Sequence, residues 1–192
     1  MSKLSKKVFE KSLLCAETLK PDLEKKFGKD STIFHSKYGP VLFEFMYFFL
    51  QLTDRYAFDQ LGRERRNELI DELVPTTTDA MIETLFGHCP KNIKDGIEKD
   101  FYSNLNGAQM DYGRCKELFL KQEDDIRTVE KLMSGAKSKS MVGQLTDNLS
   151  QIIEGTININ ALFTVLIWGV VIEHLEKKEL QALVSEASKE IK

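Results

Sequence analysis

The sequence has few of the residues from which catalytic and metal-binding sites are built. Among its 192 residues there are only three histidines and three cysteines. No histidine stands at the Glu-x-x-His spacing and no His-Glu-x-x-His motif occurs, which excludes the usual di-iron and zinc-protease patterns. A Gly-x-Ser-x-Gly elbow, a Walker loop and a Gly-x-Gly-x-x-Gly turn are also absent. We therefore expect a non-enzymatic protein without a metal ion or cofactor.

Cysteine spacing and charge exclude further classes of protein. Cys15, Cys89 and Cys115 are odd in number and widely spaced, whereas a disulfide framework needs pairs and an oxidising compartment. Residues 1–15 carry lysines and no continuous apolar run, so they do not resemble a secretory signal. The net charge of −3, with lysine and glutamate interspersed, shows no basic face for nucleic acid. We expect a cytoplasmic protein without a nucleic-acid partner.

Strand signals are nearly absent, and apolar residues recur at helical spacing between the prolines and glycines. The predicted fold is all-α: a single domain over 1–192, with about seven to nine helices in a bundle, a central aromatic helix and a long C-terminal helix. A small, polar stretch at 134–140 predicts a flexible linker before the C-terminal helix pair. The expected helices cover 1–20, 21–28, 40–62, 63–75, 76–87, 90–107, 108–133, 141–155 and 157–191, with a connection at 29–39.

The predicted aromatic helix has one polar stripe, formed by Glu44, Gln51, Arg55 and Asp59. Because an unpaired buried carboxylate costs several kcal/mol, we expect the stripe to bring Glu44 to water or to a cation. The rest of the circumference is apolar, which indicates a central helix with one solvated edge. In an alternative interpretation, the many aromatic side chains line a ligand cavity or a dimer interface.

An uncharged segment of the chain runs from 155 to 172 and raises the possibility of a membrane span. Polar residues interrupt its first half, and Trp168 lies in its middle rather than at a membrane interface. We predict the buried half of a long C-terminal helix. Thr156, Asn160 and Thr164 lie on one line at i+4 spacing, with Val171 and His174 near its continuation. That line is expected to face solvent, a partner helix or a polar pocket.

Three weaker signals are interpreted as structural. The sequence His88-Cys89-Pro90 could contact haem iron, but it fits a turn that follows a helix ending at Gly87. Arginines at 63, 65 and 66 could hold phosphate, but interleaved acidic residues favour a solvated, salt-bridged face. The lysines of the first helix could touch an anionic membrane, but acidic residues share that face and peripheral binding is not expected.

Three functional hypotheses follow from these patterns. The first is an intracellular helical interaction protein that self-associates, or binds another helical protein, through an apolar helix face. The second is a module that binds an apolar or aromatic small molecule or cofactor in an inter-helix cavity. Its candidate ligand-binding residues are Phe45, Phe49, Tyr56 and Trp168, with Glu44 and Arg55. The third is a helical enzyme in which Glu44, Arg55, His88 and His174 would have to converge in one pocket.

Overall fold

The computed structural model describes residues 3–119, 138–155 and 161–189, with residues 161–164 described by their backbone alone. These residues form six helices and no strands, so the all-α prediction is confirmed for this part of the chain. The count of seven to nine helices in a single-domain bundle concerns the whole chain and stays a prediction. The helices are α1 (Lys3–Phe27), α2 (Thr32–Phe86), α3 (Lys91–Gly113), α4 (Met141–Glu154), α5 (Ala161–His174) and α6 (Lys177–Ala187).

Prolines do not end the helices where the sequence predicts that they should. The expected stop near Lys20 is wrong, because α1 continues through Pro21 to Phe27. Pro21 and Pro75 are both exposed, so the carbonyl groups that lose a hydrogen-bond donor there can bond to water. Buried residues lie on both sides of each proline, and their packing holds the helix together across it. Tertiary burial therefore outweighs the local effect of proline.

The start of α2 also differs from the prediction. Thr32–Gly39 is helical rather than a connection, and the Ser31 side chain caps this helix by accepting a hydrogen bond from the backbone N–H of Phe34 at 3.0 Å. The threonines after Pro75 do not act as N-caps. Thr77 and Thr78 instead donate their hydroxyl groups to the carbonyl oxygens of Leu73 and Val74, four residues earlier in the same helix. The predicted helices 63–75 and 76–87 are thus one helix.

The expected end of the aromatic helix at Gly62 is confirmed as a backbone break. Gly62 has φ of 73° and ψ of −179°, a conformation that is essentially limited to glycine. The break divides α2 into a first arm (32–61) and a second arm (63–86). Helix α2 packs against α1, α3, α4 and α6, and the buried apolar side chains of these helices belong to one cluster.

The predicted helix 108–133 is wrong in its described part. Residues 108–113 complete α3, whereas 115–119 are not helical and Glu117 forms an isolated parallel bridge with Ser140. Residues 120–137 lie outside the described residues, and with them most of the expected linker 134–140. The last three linker residues are fixed by contacts: Ser138 and Ser140 are buried, and Ser140 caps α4.

The predicted C-terminal helix 157–191 is two helices, α5 and α6, separated at Leu175 and Glu176. The buried Lys11 side chain of α1 lies at this separation, where its ammonium group donates to the carbonyl oxygen of His174 at 2.9 Å. Its Nζ is also 3.4 Å from a carboxylate oxygen of Glu179 on α6. A cation at the C-terminal end of α5 is favoured by the helix dipole. This long-range contact stabilises an interruption that has no proline or glycine to mark it.

Candidate functional site

The aromatic residues predicted to line a ligand cavity lie mainly in the core. Phe45 and Phe49 are 0% exposed, so they border no space that a water molecule could occupy. Tyr56 is buried, and within the described residues its hydroxyl group has no hydrogen-bond partner. Burial raises the pKa of Tyr56 to about 12. Trp168 is half-buried on α5 and packs edge-on against Phe119, with 6.0 Å between the ring centroids.

Glu44 is buried, which contradicts its predicted place on a solvated stripe. A single carboxylate oxygen accepts two hydrogen bonds, one from the Tyr112 hydroxyl at 2.5 Å and one from the Asn148 side-chain amide at 2.7 Å. Burial raises the pKa of Glu44, although both hydrogen bonds act in the opposite direction. Tyr112 lies on α3 and Asn148 on α4, so no local sequence pattern could have indicated these partners.

Arg55 is fixed at the end of α3. Its guanidinium group donates to the carbonyl oxygen of Tyr112 at 2.7 Å and to that of Cys115. These are carbonyl groups at the C-terminal end of a helix, where a cation is favoured. Glu44 and Arg55 therefore contact opposite parts of Tyr112, its hydroxyl group and its backbone.

The two histidines of the enzyme hypothesis have different surroundings. His88 is exposed in the turn between α2 and α3, as the turn interpretation of His88-Cys89-Pro90 predicts. His174 ends α5, and its Nε2 lies 2.9 Å from the Thr18 hydroxyl of α1. The side-chain partner of His174 thus lies on α1, whereas the side-chain partners of Glu44 lie on α3 and α4. Within the part of the chain that the structure describes, no group of three or more metal-ligating side chains is found.

Helix α5 has an uncovered apolar face. Val165 is 64% exposed, Leu166 37% and Ile172 59%, and Gly169 is exposed between them. Residues 165, 169 and 172 follow the i, i+4, i+7 spacing of a single helix face. We call Val165, Leu166, Gly169 and Ile172 the α5 apolar face. The prediction that this segment is a buried helix therefore holds for one side of α5 only.

The opposite side of α5 is held in the core. Ile167, Val170 and Val171 are buried there, so of the three surroundings predicted for the line near Val171, solvent is excluded at this residue. The Cys15 thiol of α1 donates to the Val170 carbonyl oxygen at 4.0 Å, a long contact to sulfur. Residues 156–160 and the side chain of Thr164 lie outside the described residues, and with them the predicted polar line of Thr156, Asn160 and Thr164.

Neither the described helices nor known proteins point to a membrane span or to a family. Among the described helices, none has the length and apolarity needed to span a membrane. No protein family model, curated protein or solved structure matches this chain.

Proposed function

We propose that this protein is a helical interaction protein that self-associates through the α5 apolar face. The supporting observation is that large apolar side chains line one side of α5 at helical spacing and remain mostly exposed. Removing apolar surface from water contributes about 25 cal/mol per Å², so covering this face would be favourable. The opposite side of α5 is anchored to α1, so the exposed face is available to another chain.

A second copy of the same chain is the partner that fits this face best. A two-fold interface uses the same patch on both subunits, so the patch must complement itself. Val165 and Ile172 lie at similar distances on either side of Gly169. Two antiparallel copies of α5 that cross at Gly169 would place Val165 against the partner's Ile172. A glycine at the crossing point allows the two helix backbones to approach closely.

The size of the face indicates that this association is weak. Helix α5 has 14 residues and is about 21 Å long. A face of that length covers a few hundred Å² at most, compared with about 800 Å² per partner in a stable complex. We therefore expect a dissociation constant in the micromolar range or weaker, which is accessible to experiments at high protein concentration.

The two other hypotheses have less support. A cavity walled by Phe45 and Phe49 would need open space beside these side chains, and both are fully buried. An active site built from Glu44, Arg55, His88 and His174 would need these groups to share a pocket, whereas the hydrogen-bond partners of Glu44 and His174 lie on separate helices.

Sedimentation equilibrium over a wide concentration range tests the proposed self-association. We expect the wild-type protein to show reversible dimer formation and Val165→Asp to remain monomeric at the same concentrations. Met110→Asp is the matched control, because Met110 is 74% exposed on α3 and its substitution adds the same charge elsewhere. A strict monomer up to about 1 mM, or equal loss of dimer in both variants, would contradict the proposal.

A cysteine placed at the crossing point tests the geometry independently. In a Cys89→Ser background, the remaining native thiols of Cys15 and Cys115 are buried. Gly169→Cys should then form a disulfide-linked dimer under mild oxidation, because the proposed crossing brings the two copies of this position together. The matched variant Gly96→Cys places an exposed thiol on α3 and should stay monomeric. Equal cross-linking at both positions would indicate random collision instead.

A further inference from the structure

A polar pocket opens beside the break in α2. Its volume is about 690 Å³, which lies within the range of small-molecule sites. The first arm of α2, the start of the second arm and the chain around the end of α3 contribute its walls. The charged lining residues that the structure describes are Asp54, Arg55, Asp59, Arg63, Arg66 and Lys116.

Three residues of the polar stripe predicted on the aromatic helix open into this pocket, namely Gln51, Arg55 and Asp59. Only Glu44, two turns before Gln51, is covered by α3 and α4. The predicted solvated edge therefore exists at this end of the first arm. This edge borders a wide, open pocket.

The pocket carries a formal positive charge. Among the lining side chains that the structure describes, four are cationic and two are carboxylates, a formal charge of +2. Arg66 forms two hydrogen bonds to the carboxylate of Asp54, from Nε and from Nη2, so this pair is neutral. Among the described residues, it is the only ion pair within the lining. Three cations then remain with a single carboxylate, Asp59.

Arg55 is an anion-binding group that is already held in position. The carbonyl oxygens of Tyr112 and Cys115 that it contacts carry no net charge, so its positive charge is not neutralised by these bonds. Its side chain is ordered before any ligand arrives, which lowers the entropic cost of binding. A guanidinium group also matches the planar geometry of carboxylate and phosphate oxygens.

Two further cations have side chains available for a ligand. Arg63 and Lys116 are exposed, and neither side chain forms a hydrogen bond or ion pair within residues 3–119, 138–155 and 161–189. Arg63 follows the backbone break directly and begins the second arm, whose N-terminal dipole also favours an anion. Phe58 contributes an apolar surface to the lining and is 53% exposed.

We propose that this pocket binds a small oxyanion with at least two negative charges, carried by phosphate or carboxylate groups. Arg55 binds one anionic group of the ligand, and Arg63 and Lys116 bind its other anionic groups. Phe58 contacts a carbon-bearing portion of the ligand. This binding does not depend on self-association through α5, since the pocket is built from α2, α3 and the residues that follow α3.

Titrations of the 192-residue chain with pyrophosphate and with citrate test this proposal, because the two probes carry phosphate and carboxylate groups respectively. We expect saturable binding of at least one probe, with amide NMR shifts at Gly62 and Gly113 and none at Gly28, which lies in the turn between α1 and α2. Binding of only one probe identifies the preferred group. If neither probe binds saturably up to about 10 mM, the proposal is wrong.

Paired variants separate a defined site from general charge attraction. Arg63→Ala combined with Lys116→Ala should weaken binding about tenfold or more, since each removes a charged hydrogen-bond donor. Lys29→Ala combined with Lys178→Ala removes the same charge from exposed positions outside the pocket lining and should leave binding within about twofold. Equal weakening in both double variants would show general attraction and overturn the proposal. The wild-type NMR shifts test the location without any variant.

Discussion

At the scale of single residues, Glu44 is the most informative position in the chain. Its carboxylate exchanges water for two hydrogen bonds, from Tyr112 and Asn148, and so joins α2 to α3 and α4. Burial nevertheless has the larger effect and raises the pKa of Glu44. A carboxyl group in this setting makes stability depend on pH.

The Glu44→Gln substitution should remove that dependence on pH. The pKa of Glu44 is raised in the folded state above the value of about 4.3 for an unfolded chain. The folded protein thus keeps this proton to a higher pH than the unfolded chain does. The contribution of Glu44 to the free energy of unfolding therefore falls as the pH rises from the unfolded pKa to the folded pKa. We expect the free energy of unfolding of Glu44→Gln, relative to wild type, to increase from about pH 4 toward neutrality. Urea unfolding at several pH values measures this difference.

Two further variants control for charge and for packing at this position. Glu64→Gln removes a carboxylate from an exposed position and should not reproduce the effect. Glu44→Ala leaves the Tyr112 hydroxyl and the Asn148 amide without their acceptor and should lower the free energy of unfolding by about 1–3 kcal/mol. If Glu44→Gln and wild type kept a constant difference at all pH values, Glu44 would not titrate as inferred.

At the scale of elements, glycine rather than proline interrupts α2. Pro40 and Pro75 lie inside the helix, whereas Gly62 breaks it with a positive φ. A side chain at that φ is strained whatever space surrounds it. The break allows Arg66 of the second arm to reach Asp54 of the first arm, twelve residues earlier. It therefore shapes both the contact between the arms and the polar pocket.

Opposite effects are expected from the same substitution at two glycines. Gly62→Ala should lower the free energy of unfolding by about 1–3 kcal/mol, because alanine disfavours the observed backbone angles. Gly96 is exposed inside α3, and an added methyl group has no neighbouring atom within 4 Å. Gly96→Ala should therefore raise the free energy of unfolding by about 0.5–1 kcal/mol. Chemical denaturation of both variants gives the comparison. A stabilising Gly62→Ala would mean that α2 is straight at this point in solution.

At the scale of the whole molecule, the main question is what covers the α5 apolar face. Helix α5 is apolar all round, yet α1 and the core cover only the side that carries Ile167, Val170 and Val171. A contiguous exposed apolar face is typical of an interaction site. The self-association that we propose would cover this face without any partner of a different kind.

Thermal stability should therefore depend on protein concentration. Association of folded chains raises the Tm by mass action, since the unfolded chain does not form the interface. We expect the Tm of the wild-type protein to increase between about 10 µM and about 1 mM, and that of Val165→Asp to remain constant. Met110→Asp should retain the concentration dependence. A wild-type Tm that does not change over this range would count against the dimer.

The all-helical character of the described chain, the end of the aromatic helix at Gly62 and the turn at His88-Cys89-Pro90 could be predicted from the sequence, because helical periodicity and glycine conformation are local properties. The continuation of α1 and α2 through their prolines depends on tertiary packing, as does the contact of Lys11 with the separation between α5 and α6. Tertiary packing also buries Glu44 and leaves one side of α5 uncovered. These outcomes depend on which distant residues meet, as Glu44 meets Tyr112 and Asn148. On a helix as uniformly apolar as α5, periodicity cannot indicate which side the core will cover.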